Sequence, residues 1–127
     1  MTTPCTKKST GCCFIIISEK KGGCYMIIAV DFDGTLCEDC YPEIGKPNRV
    51  LIEALIKKRK YGDKLILWTC REEELLEDAV AWCKTQGLFY DALNDNLEEV
   101  KQKYQHNSRK ITADVYVDDK AVEMLWL

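Results

Sequence analysis

Residues 26–32 read MIIAVDF, an apolar run interrupted only by Asp31, and Asp33 follows one residue later. A run of this kind fits a strand covered on both faces. Such a strand has no room for an unpartnered carboxylate, and two like charges at close range cost still more. A chain that only needed to fold would not end a buried strand this way. The acids therefore call for a partner: a cation, a proton or a substrate.

The sequence after this segment is regular. Residues 34–45 hold turn residues and read as a loop or hairpin. A helix is expected over residues 47–61, with Pro47 in its first turn and Val50, Leu51, Ala54 and Leu55 on one face. Residues 64–68 read as a second strand. Residues 72–85 read as a second helix, with acids in its first turn and a buried stripe of Leu75, Leu76, Ala79, Val80 and Cys83. A short strand over 88–90, a short helix over 97–104 and a last strand over 114–117 follow. Alternating strands and helices imply a parallel sheet with right-handed crossovers. The expected fold is α/β, a Rossmann-like three-layer sandwich with a mostly parallel sheet, and residues 26–127 form one domain.

All strands of a parallel sheet end on one edge, and ligands bind there. Asp31 and Asp33 end the first strand, Thr69 the second, and Asp118 and Asp119 the last. Three distant segments thus bring carboxylates and a hydroxyl to one rim. With a side-chain period of two, Asp31 and Asp33 can point the same way while Phe32 packs opposite. Clustered carboxylates without histidine or cysteine partners suit a hard cation, most simply Mg²⁺. Beside it, Asp33 is a candidate general acid.

These residues resemble a known family. Asp31-Phe32-Asp33-Gly34-Thr35-Leu36 resembles the first motif of the haloacid dehalogenase-like superfamily, whose members are mostly phosphatases. Leu65 to Thr69 is similar to the second motif, Lys110 to the third, and Val115-Tyr116-Val117-Asp118-Asp119 to the fourth. The resemblance runs from residue 26 to about residue 122. It implies a Mg²⁺-dependent phosphomonoester hydrolase. Asp31 would attack phosphorus and form an aspartyl-phosphate, and Asp33 would protonate the leaving oxygen and then activate water. Thr69 and Lys110 would bind the phosphoryl group. The metal would sit among Asp31, the backbone carbonyl of Asp33, and Asp118 or Asp119. Arg109 and Lys120 are rivals of Lys110. Arg71 is expected either to aid substrate binding or to pair at the surface with Glu72 or Glu74.

The family selects substrates with inserted caps, and neither interval between motifs has room for one here. The resemblance is to the capless, minimal members. An open site suits a large phosphorylated substrate, and the loop over residues 37–45, with Tyr41, is the candidate flap. The chain stops at Leu127, where members usually continue with a further helix and strand. An exposed last strand with Met124, Leu125 and Trp126 nearby implies association into a homodimer. Two other readings stand beside the phosphatase: a catalytically idle binding or regulatory module, and a phosphotransferase or nucleic-acid-end phosphatase.

A net charge of −3 gives no pull toward nucleic acid or anionic membrane. The basic run Lys57-Lys58-Arg59-Lys60 falls at a helix end, where cations favour the dipole. No apolar run reaches the length of a membrane span; the short apolar stretch over residues 12–17 is followed by no small-x-small cleavage site, so the expected location is the cytoplasm. The eight cysteines include Cys37-Glu38-Asp39-Cys40, but with His106 the only histidine a zinc site lacks ligands, and unpaired thiols are expected. Residues 1–25 read as a disordered leader or tail. Codons for Lys21-Gly22-Gly23 can spell a bacterial ribosome-binding sequence just ahead of Met26. Met26 is therefore a candidate start, with a genuine tail as the alternative.

Overall fold

Hydrogen bonds between Ile27–Val30 (β1) and Lys64–Leu67 (β2) run in parallel register, from Ile27 opposite Lys64 to Val30 opposite Leu67. A computed structural model of the protein describes residues 25–121. Two further strands join the sheet: Ala92–Leu93 (β3) beside β2, and Val115–Val117 (β4) beside β1. The order is β3-β2-β1-β4, and every pairing is parallel. Met124, Leu125 and Trp126, and the proposed leader except Tyr25, lie outside the described residues.

The alternation of strand side chains builds the layers. Ile28 and Val30 of β1 and Leu65 and Leu67 of β2 share one core with Leu51, Ile52 and Leu55 of Arg49–Lys60 (α1) and Ala79 and Cys83 of Glu73–Thr85 (α2). Ala29 and Ile66, one step out of phase, pack on the other face with Leu97, Ile111 and Val100 of Glu98–Tyr104 (α3). The fold is therefore α/β, with helices on both faces of a parallel sheet. Both faces of β1 and β2 are covered, which is why their sequences are apolar without alternation.

Several boundaries differ from expectation. β1 stops at Val30, because the Phe32 carbonyl accepts from the amides of Thr35 and Leu36 and turns the chain. Phe32 keeps the strand's phase all the same, fully buried edge-on against Trp82 at 5.3 Å. Its burial contributes about 1.5–3 kcal/mol. Helix α1 begins after Pro47, because the Asn48 side chain caps it by accepting from the Leu51 amide at 3.2 Å. Its buried face is consequently Leu51, Ile52 and Leu55, and Val50 is 79% exposed. The third strand forms at Ala92–Leu93 rather than over 88–90. Leu88 is instead core behind the end of α2, where its amide bonds the Cys83 carbonyl.

The basic run at the end of α1 makes ion pairs, Lys58 with Asp63 and Arg59 with Asp91. Among the described residues, no helix is long and apolar enough to cross a membrane.

Candidate active site

The chain builds β1, β2 and β3 outward in one direction and then returns to place β4 on the far side of β1. The C-terminal edge between β1 and β4 is thus the topological switch point of the sheet, where open parallel sheets bind ligands. Asp31 follows β1, and its amide extends the ladder to the Val117 carbonyl at 2.9 Å. Asp118 and Asp119 follow β4. One carboxylate oxygen from each of Asp31, Asp118 and Asp119 lies within 4.8 Å of the others.

These three acids repel one another. Burial pushes Asp31 up to about 6, and the charges of Asp118, Asp119 and Asp33 add to the rise, against the pull of the Phe32 backbone amide. Asp119 is raised by its own burial and by the hydrogen bond and charge of Asp118. An all-oxygen donor set this close fits a hard divalent cation, whose charge would reverse the penalty.

Local backbone geometry makes the cluster possible. Gly34 has φ +82°, and a Cβ built there would stand 2.3 Å from the Asp119 Oδ2. The glycine is needed less for a ligand's approach than for this carboxylate's. The neighbouring Thr35 hydroxyl accepts from the Asp119 amide at 3.1 Å, so the first loop seats the last one.

Asp33 does not join the three. Its carboxylate accepts from Arg71 Nε at 2.8 Å and Nη2 at 2.7 Å. Arg71 also donates to the backbone carbonyls of Pro42, Glu43 and Leu75, and its guanidinium lies 5.1 Å from the Phe32 ring and 5.2 Å from the Tyr41 ring. The expected surface pair of Arg71 with Glu72 or Glu74 is therefore not found: Arg71 is buried on Asp33. Pairing and hydrogen bonding to Asp33 raise the Arg71 pKa against its desolvation.

Thr69 lies two residues past β2, on the same edge as the acids. Its amide donates to the Asn94 side chain at 2.7 Å, and its hydroxyl accepts from the Arg71 amide at 3.2 Å. Asn94 holds φ +50°, a conformation that asparagine tolerates better than most residues. Lys110 is not drawn to the acids. Its ammonium lies over the Tyr116 ring at 5.6 Å, and among the described residues it forms no ion pair. Lys120 lies close enough to Asp119 to oppose its pKa rise.

The chain is similar to a conserved protein from Bacteroides thetaiotaomicron whose structure has been solved, with 43% identity over 77% of this chain and 78% of that one and a TM-score of 0.69. It belongs to the family of that protein. No family model and no curated protein matches it. Membership in the Bacteroides protein's family fixes the architecture around the acids, and what the acids do follows from their own chemistry.

In this family member two thiols of the core, Cys37 and Cys83, are shielded from reaction by burial. Cys37 and Cys83 are free and buried, and burial pushes them up to about 11 and about 12. Cys37 does not pair with Cys40, which is disulfide-bonded, so among the described residues the expectation of unpaired thiols fails at Cys40. Two supporting residues escape a sequence reading: Asn94, whose partner is a backbone amide, and Arg71 as the partner of Asp33. The signal for Arg71 was its place just beyond a buried strand, on a rim already rich in acids.

Proposed function

We propose that the protein is a Mg²⁺-dependent phosphomonoesterase of the haloacid dehalogenase-like type, working through an aspartyl-phosphate on Asp31. The observation that carries this reading is the meeting of Asp31, Asp118 and Asp119 at the switch point, with each carboxylate within reach of one cation. Asp31, Asp118 and Asp119 would hold Mg²⁺, which when bound supplies positive charge to the phosphoryl oxygens. A carboxylate oxygen of Asp31 attacks phosphorus as the ester P–O bond breaks. Asp33 gives its proton to the departing oxygen. It then takes a proton from the water that attacks phosphorus, and the bond from Asp31 to phosphorus breaks to release phosphate. The Thr69 hydroxyl can donate to a phosphoryl oxygen while it accepts from Arg71. Lys110 can reach the same group only by leaving Tyr116. Lys120, beside Asp119, is the nearer source of charge.

The intervals from β1 to β2 and from β2 to β4 hold only short loops, three helices and the two-residue β3, so the reading favours an uncapped site and a large phosphorylated substrate. The expected cytoplasmic location and the homodimer belong to this reading as well.

A second reading, an idle binding module, is favoured by one arrangement. Both Asp33 oxygens are engaged by Arg71, and Lys110 rests on Tyr116. Phosphate release from a broad panel of phosphate esters, with Mg²⁺ and with EDTA, separates the two. The enzyme releases phosphate only with Mg²⁺ and loses release in Asp31→Asn. A module binds Mg²⁺ and releases nothing.

A further inference from the structure

Arg71 takes no direct part in that chemistry, yet it is the bulkiest fully buried side chain among the described residues. A guanidinium has five N–H donors. All five find acceptors here: Nε on Asp33 Oδ2, Nη2 on Asp33 Oδ1 and the Glu43 carbonyl, and Nη1 on the Pro42 and Leu75 carbonyls. Phe32 and Tyr41 supply the two aromatic contacts. One side chain thus ties three parts together: the acid after β1, the loop at Tyr41, Pro42 and Glu43, and the first turn of α2. The fork takes one lone-pair site on each Asp33 oxygen and leaves the other free for a further partner, so the grip fixes where the carboxylate stands. Neutral carbonyls alone would have satisfied the donors. The placement of the site's proton donor under the same fork is what asks for a role in the reaction.

We propose that Arg71 is a positioning residue: held by the Tyr41–Pro42–Glu43 loop, it sets where the Asp33 carboxylate stands and so how well Asp33 protonates the leaving oxygen. The inference rests on the phosphomonoesterase reading. In the step it governs, the ester P–O bond breaks, the leaving oxygen takes the electron pair, and the proton passes from Asp33 to that oxygen. Arg71 neither gains nor loses a proton.

The nature of the leaving group provides the test. An alkoxide needs a proton to depart, whereas a nitrophenolate leaves without one. The experiment measures kcat and KM in Mg²⁺ for the full chain and for Arg71→Lys, on an alkyl phosphate and on a nitrophenyl phosphate. Lysine keeps the charge and loses the fork. The expected result is a fall in kcat of about 100-fold on the alkyl ester, a fall of less than about tenfold on the nitrophenyl ester, and little change in KM on either. Thermal melting checks that the variant is folded. Tyr41→Ala is the second variant. Tyr41 is 58% exposed, and its removal uncovers Arg71 while leaving the fork in place. It should show the same selectivity for the alkyl ester at a smaller size, and it decides the matter if Arg71→Lys does not fold. Equal losses on both esters in a folded variant, or no loss on either, would overturn the positioning role and leave the phosphatase standing. A wild type inert toward both esters would overturn the phosphatase reading and this inference with it.

Discussion

Arg71 grips both oxygens of Asp33 with only 1% of its own side chain exposed, while Asp33 remains 19% exposed. The pair is asymmetric: the cation is wholly buried and the anion is not. Removing the anion strands a guanidinium away from water, and breaking a buried pair from one side costs about 3–5 kcal/mol. Asp33→Asn should therefore lower unfolding stability in urea by that order. Arg71→Lys keeps a charge beside Asp33 and should cost less. An Asp33→Asn protein as stable as the wild type would show that the backbone carbonyls around Arg71 suffice to keep its charge buried.

Gly34→Ala tests how the first loop admits Asp119. The new methyl would meet the Asp119 carboxylate at 2.3 Å and would sit at a φ of +82°. Asp119 must swing away, and the backbone strain costs about 1–2 kcal/mol. Calorimetric titration should then find Mg²⁺ affinity reduced by about tenfold or more. Unchanged affinity would place Asp119 outside the metal's ligand set.

The acid cluster gives the protein a definite response to pH. The folded chain raises Asp31 from 3.8 to about 6, so between those values it binds a proton that the unfolded chain has released. That group favours the fold at low pH, and the advantage is gone once pH passes about 6. Without metal, melting temperature should fall as pH rises through this window, as far as Asp31 contributes. Mg²⁺ should restore it above the window, where Asp31 is ionised, and have little effect well below it. Melting curves at both ends, with Mg²⁺ and with EDTA, check the sign. A larger Mg²⁺ effect at low pH would contradict it.

The apolar runs at residues 26–32 and 64–68 declared their strands because both faces of each are covered, and covered strands carry no alternation to misread. Asp31 after β1 and Asp118 and Asp119 after β4 meet on one edge for a related reason: a carboxylate is tolerated only where the core stops. Val50 was misplaced because the Asn48 cap shifts the start of α1, and an apolar residue in a first turn gives no sign of its phase. β3 was misplaced because Ala92 and Leu93 are too few to form a pattern, whereas Leu88 looks like a strand residue and packs as a helix end. Arg71, a long cation among glutamates, reads as a surface pair, and only the folded loop brings the carbonyls of Pro42 and Glu43 over it. Lys110 rests on its resemblance to the third motif, and a motif says nothing about the Tyr116 ring over which its ammonium lies.

In the proposed reaction phosphorus is transferred to Asp31. Its most direct test is an acid quench of the protein during turnover of an activated phosphate ester in Mg²⁺, followed by mass spectrometry of the peptide that contains Asp31. The expected result is one added phosphoryl group on Asp31, present with Mg²⁺, absent with EDTA and absent in Asp31→Asn. Phosphate release with no label on that peptide, or a label that persists in Asp31→Asn, would contradict it.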